Sequence, residues 1–124
     1  MKKSLICVVL AMLMLASFCG VYAEEIVILY TNDVHCAYNQ NLGYSSVKAL
    51  KDFYESVTPN VLLVDNGDSI QGDVIGAVSQ GEYIVDFMNA VGYDYAILGN
   101  HEFDYGMDQI ASLAEKANYP YVDS

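Results

Sequence analysis

Apolar residues recur along this chain in short blocks separated by polar, glycine-bearing loops. Ile26 to Tyr30 is continuously apolar, which predicts a strand buried on both faces. Val61 to Val64 predicts a second strand and Tyr95 to Leu98 a third, while Tyr119 to Val122 starts a fourth. Between these blocks apolar positions return at helical spacing. Val47, Leu50, Phe53, Tyr54 and Val57 form the predicted core face of one helix, with Ser45 or Ser46 as its cap and Thr58-Pro59 as its stop. Val74 to Val78 is a short apolar piece after a glycine-rich loop. Ile84, Val85, Phe87, Met88 and Val91 line the inner face of a helix from Glu82 to Val91, ended by Gly92. Ile110, Leu113 and Ala114 do the same for Met107 to Ala117. Alternating strands and helices predict an α/β fold with a mostly parallel sheet and right-handed crossovers. No internal repeat, low-complexity stretch or linker interrupts this order.

The first 23 residues have a different pattern. Lys2 and Lys3 precede an apolar stretch from Leu5 to Phe18, and Val21-Tyr22-Ala23 offers small residues where signal peptidase needs them. The chain therefore divides into a signal peptide, 1–23, cleaved after Ala23, and a mature part, 24–124, placed in a secreted or periplasmic setting. An uncleaved anchor fits less well, since the apolar run falls short of about 18 to 20 residues. No stable membrane anchor is expected after cleavage. Cys19 raises a lipoprotein alternative, but the bulky Phe18 before it stands where a small residue is needed. Cys7 and Cys19 leave with the leader, so Cys36 has no partner for an intramolecular disulfide. Burial is the expected state of this thiol, with a thiolate ligand as the alternative.

Five lysines and no arginine face 16 acids, a net charge of −11, or −13 once Lys2 and Lys3 are gone. Nucleic acid is excluded as a partner, because its phosphates require cations. An anionic substrate cannot be held by side-chain cations here either, whereas metal ions could supply the charge.

Three polar clusters follow the three apolar strands, where an α/β protein places its chemistry. In the first, Asp33 and His35 stand two apart, and extended backbone would aim both at one metal ion. A capping aspartate beside an incidental histidine gives the same spacing. In the second, the two oxygens of Asp68 can bridge two ions about 3.5 to 4 Å apart. Asp65 and Asn66 read there as turn formers, Gln71 as a holder of the loop, and Asp73 as a helix N-terminal acid. The third is Gly99-Asn100-His101-Glu102-Phe103-Asp104-Tyr105-Gly106. Asn100 offers a carbonyl oxygen to metal, His101 can give a proton to a leaving alkoxide, and Asp104 can hydrogen-bond that imidazole. Glu102 and Phe103 read as structural, with Phe103 as local packing. The 11 tyrosines are scattered, and their spacing singles out no base-stacking pair.

Thr31-Asn32-Asp33-Val34-His35, Asp65-Asn66-Gly67-Asp68-Ser69-Ile70-Gln71-Gly72 and the eight-residue run at Gly99 resemble the first three motifs of the calcineurin-like metallophosphoesterases. The wording is nearest the secreted 5′-nucleotidase and 2′,3′-cyclic-nucleotide phosphodiesterase branch. The resemblance implies the N-terminal portion of an α/β/β/α sandwich and two divalent metal ions (zinc, manganese, magnesium or cobalt). It implies that Asp33 and His35 hold one ion, Asp68 bridges both and Asn100 holds the second. A metal-bound hydroxide would attack phosphorus, with His101 and Asp104 as the catalytic pair. The implied substrate is a nucleotide or other phosphoester. Cyclic-nucleotide, UDP-sugar and NAD hydrolysis are alternatives within the family, and a thiosulfate-ester branch is more distant.

Two departures follow. Cys36 replaces the glycine usual after Asp-x-His. With only His35 and His101 present, the family's further histidine ligands, including Gly-His-x-His, and its substrate-binding C-terminal domain are missing. The chain is therefore expected to be the N-terminal part of a truncated catalytic domain, with an open apolar sheet face, marginal folding and little activity alone. A non-catalytic secreted fragment is the competing expectation.

Overall fold

A computed structural model describes residues 25–40 and 42–122. The signal peptide at 1–23, its cleavage after Ala23, and Cys7 and Cys19 lie outside the described residues. Four strands, β1 (Val27–Thr31), β2 (Val61–Asp65), β3 (Tyr95–Ile97) and β4 (Tyr121–Val122), form one parallel sheet in the order β1-β2-β3-β4. Parallel pairing demands a crossover between neighbours, and helices supply it. Helix α1 (Tyr44–Val57) joins β1 to β2, and α2 (Val74–Ser79) and α3 (Glu82–Val91) join β2 to β3. A 3-10 turn (His101–Phe103) and α4 (Met107–Lys116) join β3 to β4. None of the described helices is long and apolar enough to cross a membrane.

The helices cover one face of the sheet. Leu63 and Ala96 from the strands meet Ile84, Val85, Met88 and Val91 of α3, Tyr44 of α1 and Leu113 of α4 in a single core, with Leu29 and Tyr121 packed against it. The other face carries the alternate residues. The register sets Ile28 beside Leu62, Tyr30 beside Val64, Val64 beside Tyr95, and Ile97 beside Val122. Ile28 is 60% exposed and Tyr30 69%. The expectation that β1 is buried on both faces is therefore corrected: its apolar run has one covered face and one open one.

Helix α1 also departs from its pattern. It starts at Tyr44 with Gly43 as N-cap, and no side chain caps it. Neither Ser45 nor Ser46 takes that role, because the Tyr44 ring must enter the core and stack on Phe87, with centroids 5.8 Å apart. Leu50, Phe53 and Val57 are exposed, whereas Tyr44 and Lys51 are buried. Apolar residues occupy a broad arc of this helix, and the Lys51 ion pairs help select which part faces in. Its stem lies against the fold while the amine reaches Glu55 at 3.1 Å and Asp94 at 3.5 Å.

The remaining helices follow their spacing more closely. The Val74 piece is helical, capped by the Asp73 carboxylate on the Val74 N–H. Gly92 ends α3 in the left-handed region at φ 86°. In α4 Ile110 and Leu113 are buried, but Ala114 is exposed and Ala117, just past the helix, packs instead.

Asp65 ends β2 on the covered face and is buried. Its carboxylate accepts Thr31 Oγ1 at 2.7 Å and Ser69 Oγ at 2.8 Å. Since Thr31 spends its proton on Asp65, the Tyr93 hydroxyl donates to Thr31 at 3.0 Å. Burial pushes the Asp65 carboxyl up to about 6, against the hydrogen bonds that lower it. Between about pH 4 and 6 the folded chain holds a proton that the unfolded chain has lost. The stability this confers is present below about pH 4 and is lost as pH rises through 6, a change of about 3 kcal/mol. Urea midpoints from pH 4 to 7.5 should fall more steeply for the parent than for Asp65→Asn, which has no proton to lose. Parallel pH profiles would contradict this account.

Candidate metal centre

The loops after β1, β2 and β3 leave the same edge of the sheet and close on one another. Backbone bonds carry the β1 and β2 loops side by side past their strands: Asp33 N–H to Gly67 O, His35 N–H to Asp68 O and Cys36 N–H to Ser69 O, at 3.0 to 3.2 Å. The backbone there is not extended, contrary to expectation. Asp33, His35, Cys36 and Asp68 all have positive φ, between 46° and 62°. Such conformations cost non-glycine residues of order 1–3 kcal/mol each and persist only where surroundings enforce them.

The outcome is convergence. Ligand-competent atoms of Asp33, His35 and Asp68 lie within 4.8 Å of one another. His35 Nε2 stands 3.8 Å from Asp33 Oδ1. His35 Nδ1 lies 3.0 Å from the Gln71 carbonyl, so Nδ1 carries the proton and donates it there, leaving Nε2 with a free lone pair. Gln71 thus holds the loop through its backbone. The donors, an imidazole nitrogen and two carboxylates, suit a zinc- or manganese-like ion.

The third loop packs onto Asp68. His101 N–H donates to Asp68 Oδ1 at 2.8 Å, and the His101 ring meets His35 edge-on with centroids 5.0 Å apart. His101 Nδ1 and Asp104 Oδ2 are 2.7 Å apart, and this hydrogen bond pushes the imidazole pKa up. Asn100 stands between Gly99 and His101, whose backbones both close on Asp68, with its own side chain exposed. The fit requires glycine. A Cβ on Gly99 would sit 2.4 Å from Asp68 Oδ1, and one on Gly67 (φ 92°) would sit 2.6 Å from Gly99 N.

Two residues assigned to local structure turn out to build the site. Glu102 is 2% exposed and accepts backbone N–H groups from both the β2 and β3 loops. Asp65 bonds Ser69 from beneath and takes the Gly67 N–H. The signal that could have found them is a carboxylate set among glycines whose loop amides lack strand partners. Phe103, expected to pack locally, is 45% exposed. Cys36 is fully buried, and its thiol, 3.4 Å from Ser69 O, is raised by burial to about 11, so it offers no thiolate.

Charge is unbalanced here. Asp33, Asp65, Asp68, Glu102 and Asp104 gather at this edge, while the described lysines pair elsewhere: Lys48 with Asp52, Lys51 with Glu55 and Asp94, Lys116 with Glu82 and Asp86. A cation bound at the triad would relieve the repulsion.

Comparison with known proteins agrees with this layout. The family model "Calcineurin-like phosphoesterase" matches residues 26–123. The chain is 38% identical to human 5′-nucleotidase over 117 residues, 82% of this chain and 20% of that protein. It is 36% identical to a snake venom 5′-nucleotidase of Gloydius brevicauda, over 81% of this chain and 19% of that one. The chain thus spans about a fifth of the length of these relatives. Among solved structures, a 5′-nucleotidase precursor from Thermus thermophilus superposes with a TM-score of 0.71 at 28% identity, covering 78% of this chain and 21% of that one. With a matched model over most of its length, the chain belongs to the calcineurin-like phosphoesterase family.

Proposed function

We propose that these residues form part of a metal-dependent hydrolase of phosphoesters acting on nucleotides outside the cytoplasm, as a 5′-nucleotidase does. The observation that carries the reading is the convergence of Asp33, His35 and Asp68 beside the His101–Asp104 pair. The relatives named 5′-nucleotidase support the substrate class. In this reading Asp33, His35 and Asp68 would hold divalent metal, with Asn100 as a further candidate ligand. Further ligands come from chain beyond these residues, as does the cover for the open sheet face. Residues 1–23 direct export.

Bound ions would supply Lewis acidity and the positive charge that this chain lacks. Its own side chains do the rest. Asp33, Asp68 and His35 Nε2 would hold the ions. Asp104 orients His101 by accepting Nδ1–H, so that Nε2 faces outward. The same carboxylate favours the imidazolium, which can give its Nε2 proton to the departing oxygen as the P–O bond breaks or can stabilise a phosphoryl oxygen. Without cations, five carboxylates would repel a phosphate dianion.

Binding of manganese to the chain, followed by the loss of its free-ion EPR signal, should therefore weaken at least about tenfold in Asp68→Asn. Inorganic phosphate should bind only when manganese is present; phosphate binding in chelator would count against the proposal.

A second measurement addresses turnover. The longest protein encoded by this reading frame should release phosphate from AMP in a reaction that a chelator abolishes. In it His101→Ala should lower kcat by about 10²- to 10⁴-fold with metal content unchanged. A protein with its metal in place and no hydrolysis of AMP, cyclic nucleotides, UDP-sugars or NAD would favour the non-catalytic reading.

A further inference from the structure

We infer that Glu102 is the positioning residue of the metal centre, setting the backbone and carboxylate of Asp68. The inference rests on the metal-centre reading above. Glu102 Oε2 accepts Asp68 N–H at 2.8 Å and Gly99 N–H at 2.7 Å, and Oε1 accepts Ser69 N–H at 2.8 Å. One buried side chain thus ties two loops that are 30 residues apart in sequence.

The bonds fall where Asp68 needs them. Its φ of 58° is a conformation it would not keep unaided. Glu102 holds the amide that precedes the Asp68 Cα, and the neighbouring His101 N–H holds Asp68 Oδ1 at 2.8 Å. The two contacts make a reciprocal clasp: side chain 102 on backbone 68, backbone 101 on side chain 68. Backbone and rotamer are fixed together, and Asp68 Oδ2 has no protein donor among the described residues. The same oxygen of Glu102 binds Gly99, so the loop carrying Asn100 and His101 is set by the same atom.

No other side chain of similar size can substitute. Glutamine keeps one acceptor oxygen and turns an NH2 toward a backbone donor. Aspartate is one methylene too short to reach both loops. Alanine leaves three buried N–H groups without partners.

The test compares the parent chain, Glu102→Gln and Val85→Ala, a core variant on α3 that serves as a destabilised control. Manganese affinity, the urea midpoint and amide exchange are measured on each. Glu102→Gln should bind manganese about 10- to 100-fold more weakly. Its amides at Asp68, Ser69 and Gly99 should exchange faster, while those of β2 and α3 stay protected. Val85→Ala should lower the urea midpoint yet leave manganese affinity unchanged. Glu102→Gln that loses stability but binds manganese like the parent would reduce Glu102 to a brace and overturn the inference. Failure of the parent itself to bind manganese would instead overturn the metal-centre reading, and the inference with it.

Discussion

Parallel strand pairing is the constraint on which the rest of this structure depends. A parallel sheet must send every strand in one direction and return the chain by a crossover. All strand ends then share one edge, and the loops leaving β1, β2 and β3 meet there without any long-range signal beyond the pairing itself. Asp33, His35, Asp68 and His101 are spread over 69 residues of sequence. The register of β1 on β2 and β2 on β3 brings them together. The strain sits in the same place: four non-glycine residues of left-handed backbone occur in the two loops that the register forces side by side.

Electrostatics explains why such an edge needs more than pairing. Asp65 and Glu102 are buried carboxylates without a lysine partner among the described residues, and each is satisfied by different donors. Glu102 collects three backbone N–H groups, from Asp68, Ser69 and Gly99. Asp65 has two hydroxyls and one long amide contact, and burial still raises its pKa to about 6. Amides of two loops converge on Glu102, while Asp65 is met chiefly by the hydroxyls of Thr31 and Ser69. Both acids thereby turn desolvation into rigidity for the Gly67-Asp68-Ser69 segment, which is held from beneath and from the side.

Much of this was legible in the sequence. The succession of strands and helices, the parallel sheet, the inner face of α3 and the Gly92 stop follow from periodicity and one glycine. The clusters at Asp33, Asp68 and Asn100 stood out because packing has no use for those residue types after buried strands. Other features were hidden for identifiable reasons. In α1, Leu50, Phe53 and Val57 have the right spacing for a core face, but a lysine and a tyrosine take the inward positions. Local spacing does not record which part of a broad apolar arc the sheet will meet. Glu102 was hidden differently. An acid in a polar run looks the same whether solvent or three amides will surround it, and the amides come from a loop elsewhere in the chain.

The open face of the sheet follows the same logic. Ile28, Tyr30, Leu62, Val64, Tyr95, Ile97 and Val122 form apolar rows that no described helix covers. A strand whose two faces serve different neighbours still reads as one continuous apolar run, so β1 resembled a fully buried strand. Solvating such rows forgoes hydrophobic stabilisation of about 25 cal/mol for each Å² left uncovered. Single exposed apolar residues are ordinary on a protein surface, whereas adjacent ones in register form a continuous patch. The covered face binds the helices and the edge carries the candidate site. The apolar character of the open face therefore owes nothing to the helices described here, and the continuous apolar run of β1 records both faces at once.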